Sequence, residues 1–237
     1  MAFPTVSDAA TTAVATNDAT PTANYPATVA SDDLLILFTS NDGSGDSPSY
    51  SAPMTLIVAE AGDAGGCGDG AAYEFAAGDE DGGTVDWTIS GAEESVCRIL
   101  AIAGAHATTP PEGALSGSEK TDTSPDSPSV SPSWGAEDNM FIAFYAQNNG
   151  GAATAYPTSY ADNQVTAFSS AASGNCSMGL ATRELNATSD DPAVFTSDTS
   201  AAWAALTVVV RPAAGVAATP HGVFGHPLHG PFAGPVG

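Results

Sequence analysis

Nucleophilic chemistry needs a base within hydrogen-bond reach of a Ser or Cys. Outside its last seventeen residues the chain has a single histidine, His106, in "AIAGAHATTP". No G-x-S-x-G elbow accompanies it, and "NDGSGD" (41–46) reads as a Gly turn. A lone His after an apolar run is expected at the surface or in a structural role. The only lysine, Lys120, sits in "SEKTD", with no Gly-rich phosphate loop around it. No catalytic residue is assigned, and the chain is read as a non-enzyme. Carboxylates are so abundant that a glycosidase-like pair has no diagnostic value here.

Asp-rich loops offer the hard oxygen ligands that calcium takes. Asp42 and Asp46 in "NDGSGD", and Asp79 and Asp81 in "GDEDGG", are the candidates. "TSDD" (188–191) is a lesser one. None has the ligand order of an EF-hand, and Asp as a turn former is the simpler account. No other cofactor is implied. His221, His226 and His229 in "HGVFGHPLHGPFAGPVG" lack the spacing of a zinc module. Asn175 in "NCS" and Asn186 in "NAT" match the N-glycosylation pattern, which arises often by chance in a Ser/Thr-rich chain.

The charge balance narrows the partners. Against 27 acidic residues stand four basic ones, Arg98, Lys120, Arg183 and Arg211, for a net charge of -23. Such a field repels phosphate backbones and anionic membrane surfaces, so neither nucleic acid nor membrane is expected. It also repels itself, so low salt should weaken the fold. The three cysteines, Cys67, Cys97 and Cys176, show no metal spacing and are expected as buried free thiols. "MAFPTVSDAATT" lacks the charged and apolar regions of a secretory signal. The run "WAALTVVV" (203–210) is far shorter than the roughly 18 residues of a membrane helix.

Strands must position whatever chemistry exists. Alternating Thr and Val in residues 1–30 predict one or two weak strands at a sheet edge. "DDLLILFTS" (32–40), "MTLIVAE" (54–60), "GAAYEFAAG" (70–78), "TVDWTIS" (84–90) and "SVCRILAIAGA" (95–105) predict five more. Residues 106–136 are Pro- and Ser-punctuated and read as a crossover, with Val130 and Trp134 inward. "NMFIAFYAQ" (139–147), "NQVTAFSSA" (163–171), "CSMGLATREL" (176–185), "AVFTSD" (193–198) and "AAWAALTVVVRP" (201–212) complete an all-β chain. The expected fold is an antiparallel β-sandwich or jelly roll over residues 1–213. The first and second halves echo each other at an offset of about 106 to 109 residues. "DDLLILFTSNDG" answers "EDNMFIAFYAQNNG", and "GGCGDGAAYEF" answers "GNCSMGLATRE". The halves lie at about 30–105 and 137–212, as a double Greek key would arrange them.

The order "DDLLILFTSNDG", "GAAYEFAAGDEDGGTVDWTIS", "SVCRILAIAGA", "DSPSVSPSWGAEDNMFIAFYAQ" and "WAALTVVVRP" resembles structural proteins of tailed phages and virus-like particles. The resemblance covers roughly residues 30–212 and carries no catalytic signature. It implies a jelly-roll-like virion protein, a head decoration, spike or tail component, made in the host cytoplasm and held by contacts with itself or other virion proteins. The acidity suggests a marine or halophilic host. Residues 214–237 are expected to form an extended docking arm, with Val223, Phe224, Leu228 and Phe232 as apolar anchors. The alternative function is a carbohydrate-binding module for a cell-surface glycan, with Tyr156, Tyr160 and Trp134 as candidate sugar platforms, although core or loop packing is the simpler account of each.

Overall fold

The computed structural model describes residues 1–43, 45–62, 66–116, 120–170 and 176–215. The arm residues Val223, Phe224, Leu228 and Phe232, the tail histidines and Asn175 lie outside them. Regular structure is entirely extended. The first half holds β1 (Thr5–Asp18), β2 (Thr22–Asn24), β3 (Leu34–Asp42), β4 (Pro48–Tyr50), β5 (Thr55–Glu60), β6 (Cys67–Phe75), β7 (Thr84–Ile89) and β8 (Glu93–Ala103). The second holds β9 (Glu112–Leu115), β10 (Lys120–Asp122), β11 (Glu137–Asn148), β12 (Ala153–Ala155), β13 (Asp162–Phe168), β14 (Cys176–Ala187), β15 (Thr196–Ser197) and β16 (Ala201–Val210).

Each half supplies one sheet of the sandwich. The first sheet runs β1-β8-β3-β6-β5, and the second runs β10-β16-β11-β14-β13 with β9 also on β16. Every pairing is antiparallel. Counting β9 and β10 together as the first strand of the second half, both sheets have the same order, 1-5-2-4-3. The repeat read from the sequence is therefore a repeat of sheets. It is not a double Greek key. A Greek key places four strands as 4-1-2-3, whereas the last four strands of each half lie as 4-1-3-2.

Burial on both faces explains the continuous apolar runs at the sheet centres. Leu34, Ile36 and Phe38 of β3 point into the core between the sheets, as do Met140, Ile142 and Phe144 of β11. The alternate residues, Leu35 and Leu37 or Phe141, Ala143 and Tyr145, point outward into a second core on each side. The outer core of the first half is roofed by the sheet β2-β7-β4, with Val85, Trp87 and Ile89 buried beneath. That of the second half is closed by β12-β15 and by Val130, Tyr160 and Phe195.

The crossover expected at 106–136 does more than cross. β9 and β10 border β16 as β1 borders β8. Residues 123–125 then run beside β15, with Phe195 N donating to Pro125 O and Ser197 N to Thr123 O, both at 2.8 Å. The first half has the same arrangement, with Trp87 N donating to Pro21 O and Ile89 N to Ala19 O, both at 3.0 Å. The halves thus begin near 5 and 112 rather than 30 and 137. Pro-rich composition hid this, because a strand of three or four residues carries too little alternation to register. Val130 is buried as expected.

The two halves meet about a pseudo-twofold axis. β3 packs on β14 and β6 on β11, while β6 packs on β16 and β14 on β8. This reciprocity is what an isologous interface shows. Phe38 and Phe144, equivalent by the offset, stack on each other with centroids 5.3 Å apart. The cysteines obey the same symmetry. Cys67 Sγ donates to Ala146 O at 3.2 Å, and Cys176 Sγ donates to Ser40 O at 3.6 Å, each reaching the central strand of the other half. All three cysteines are buried and outside any disulfide, and burial pushes the thiols of Cys97 and Cys176 up to about 12.

Candidate functional site

Bulges open the sandwich at one corner. β1 slips register between Val6 and Asp8, and β13 slips between Asp162 and Val165. A bulge twists its strand and redirects side chains. Between these two strands lies a cavity of about 210 Å³. Asp162, Asn163, Thr182, Glu184 and Thr5 form its polar wall, and Val6 and Met140 its apolar part. Asn163 adopts a left-handed backbone (φ 52°), which Asn tolerates better than most residues. Its Nδ2 donates to Thr182 Oγ1 at 2.8 Å. The wall offers carboxylate, amide and hydroxyl groups beside an apolar surface. That combination suits a small polyhydroxylated ligand, with Asp162 and Glu184 as the charged groups of the wall.

The sequence-derived calcium candidates separate into two places. Asp42 ends β3, and the following turn carries Asp46 back toward Glu93 at the start of β8. Ser90 Oγ donates to Asp46 Oδ1 at 2.7 Å. Burial, then the charges of Asp42 and Asp46, hold the Glu93 carboxyl above the usual range. Burial and the Glu94 charge do the same to Asp42. Asp79 and Asp81 belong to the turn before β7. There Asp81 Oδ1 accepts from Val29 N at 2.5 Å, and Glu80 accepts from the backbone of Ala77, Gly78 and Asp79. Among the described residues, no group of three or more His, Cys, Asp or Glu is placed to hold a metal ion. Asp81 and Glu80 act as turn formers.

Of the three aromatics weighed as sugar platforms, one is buried and two are half-buried. Tyr160 is buried and donates to Asp190 Oδ2 at 2.6 Å. Tyr156 packs edge-on against Phe195. Trp134 is half-buried, donates from Nε1 to Asn139 Oδ1 at 2.9 Å, and carries the Arg211 guanidinium over its ring. Tyr160 fills the outer core of the second half, and Tyr156 and Trp134 pack against its side. His106 is structural too: its Nδ1 accepts from Thr109 N at 3.1 Å. Asn186 is exposed near the end of β14, donating to Asp138 Oδ1 at 2.7 Å.

Several polar contacts had no signal in the sequence. Arg183 pairs with Asp190 at 2.8 Å, so the buried Asp190 carboxylate joins a guanidinium and the Tyr160 hydroxyl. Arg211 pairs bidentately with Glu137 at 2.7 and 3.0 Å. The Tyr25 hydroxyl bonds Glu74, which burial holds above the usual carboxylate range. Lys120 lies over the Trp203 ring, 5.5 Å from its centroid. Arg183 and Asp190 are seven residues apart, but the other partners are separated by 30 residues or more and meet only when the strands of their own half assemble.

These shifts set a pH dependence. Glu74, Asp42 and Glu93 bind protons more tightly folded than unfolded. Their contribution is present at low pH and is lost as pH rises from the ordinary carboxylate value, about 4.3 for Glu, through their raised ones. Glu137, held low by Arg211, works the opposite way, and its contribution is lost as pH falls through its lowered value. Stability should therefore peak at mildly acidic pH. There the self-repulsion of a chain carrying -23 at neutrality is also reduced. Melting temperature should rise from pH 8 toward pH 5, and at pH 8 it should rise with salt. A calorimetric profile flat in both variables would contradict this.

Compared with known proteins, the chain matches no family model, and no curated protein matches it significantly.

Proposed function

We propose that this is a structural protein of a virion or virus-like particle, held in place by contacts of its sandwich and by residues 214–237 acting as an arm. One observation carries this reading. β16 is paired on both sides before the chain leaves it, with β11 on one edge and β9 and β10 on the other. The chain then bridges Pro212 to Ala105, and Ala213 N donates to Gly104 O at 2.7 Å. It reaches Gly215 beside Met1. The last strand of the described residues ends before that point, and residues 216–237 follow it in the sequence.

Removal of residues 216–237 should leave the far-ultraviolet spectrum and melting transition of the sandwich intact and abolish incorporation into particles. Co-sedimentation of full-length and shortened protein with purified particles tests it. Equal incorporation of both would exclude the arm, and absence of both from particles would exclude the virion role.

Carbohydrate binding is a second reading, favoured by the cavity between β1 and β13 rather than by the aromatics first considered. Asp162→Asn with Glu184→Gln should remove any signal on a glycan array. Silence of the unaltered protein across the array would end this reading.

A further inference from the structure

The sheets leave edges of very different quality. An edge strand presents unpaired N–H and C=O groups that can template another chain unless it is short, bulged or charged. β5 is broken by a bulge between Leu56 and Val58, and β13 by one between Asp162 and Val165. The far edge of the second sheet is divided between β9, of four residues, and β10, of three. β1 is the exception. It spans 14 residues, pairs only with β8 among the described residues, and keeps perfect register from Asp8 to Val14 between its two bulges.

The chemistry of that run matters in a chain of net charge -23. Residues 9–17, "AATTAVATN", contain no acid, although Asp8 and Asp18 bracket them. Thr11 and Ala13 are exposed, and Arg98 on the neighbouring strand donates from its guanidinium to Thr11 Oγ1 at 2.6 Å. Two copies can approach only where carboxylates do not face each other. The pseudo-symmetry makes the contrast sharp, since the second half divides the same edge into two short strands.

We propose that β1 is a self-association edge, pairing antiparallel with β1 of a second copy about a twofold axis. Two five-stranded sheets then join into one continuous sheet. With Thr11 on the axis, Asp8 falls opposite Val14 of the other copy, so no like charges are directly opposed. Small Ala and Thr side chains let the two strands meet without steric conflict, and main-chain hydrogen bonds supply the contact. The proposal does not depend on the virion reading, since a β1-linked dimer absent from every particle would leave it standing.

The test is the mass of the full-length chain in solution, measured by sedimentation from dilute buffer to molar salt. The expected result is a dimer favoured by salt. Thr11→Glu with Ala13→Glu sets four carboxylates at the axis and should weaken association by about tenfold or more. Thr55→Glu, on the opposite edge of the same sheet, should leave it unchanged. A monomer at every salt concentration, or a dimer indifferent to the β1 variant, overturns the proposal. Should the variant fail to fold, hydrogen exchange on the unaltered chain decides. Amides of residues 9–14 should gain protection as concentration rises, and protection independent of concentration overturns it.

Discussion

Phe144→Ala should cost the protein about 3–5 kcal/mol of unfolding free energy, the range for removing a buried Phe side chain. Total stabilities of single domains are about 5–15 kcal/mol, so this one change removes a large share. The reason is position. Phe144 is fully buried and stacks on Phe38 close to the pseudo-twofold axis, where strands of both halves converge. Truncation leaves a cavity that the two sheets cannot collapse into without shifting their registers. Phe38→Ala should cost a similar amount by symmetry. The double variant should cost less than the sum, because each single change already forfeits the stack, worth roughly 0.5–1.5 kcal/mol. Denaturant titration gives all three values. A loss below about 1 kcal/mol for Phe144→Ala would mean that the core between the sheets is not packed as described.

Gly179→Ala should be destabilising by about 1–3 kcal/mol, the cost of overpacking a tight core. This reverses the usual sign, since Gly within a strand is normally less stable than Ala by roughly 0.5–1 kcal/mol. Gly179 lies directly opposite Tyr145 in the β11–β14 ladder. A Cβ there would stand 2.1 Å from Cε1 of the Tyr145 ring. That ring cannot withdraw, because Tyr145 is fully buried and packs edge-to-face with Phe195 at 4.9 Å. The first half repeats the device: a Cβ on Gly70 would come within 2.5 Å of the Tyr50 hydroxyl. In a Tyr145→Ala background, Gly179→Ala should lose its penalty. If the penalty survives there, Tyr145 is not its cause.

The candidate sites show how far residue type reaches. "NDGSGD" marked a turn and an acidic loop, and both are present. That Glu93 joins Asp42 and Asp46 depends on how β8 returns past β3, which no local spacing encodes. Tyr160 and Trp134 illustrate the converse. As residue types they suit sugar stacking, yet Tyr160 is buried in the outer core of the second half and Trp134 packs half-buried against it. The cavity between β1 and β13 left no mark in the sequence, because each bulge is an irregularity against a partner strand, 20 residues on for Asp162 opposite Thr182 and 96 residues on for Val6 opposite Ile102.

By itself the sequence determined the all-β class, the strand positions of the apolar segments, the buried thiols and the duplication of the two halves. These follow from short-range alternation and from composition, which report which face of a strand meets water. The tertiary structure alone decided that each half becomes one sheet, that the strands lie 1-5-2-4-3, and that Phe38 meets Phe144. It also decided that β1 keeps a long regular edge while its counterpart is split. Alternation fixes the face that a strand buries but not the neighbour it pairs with. That choice belongs to contacts between residues distant in the chain, and it is made only when both sheets close over a shared core.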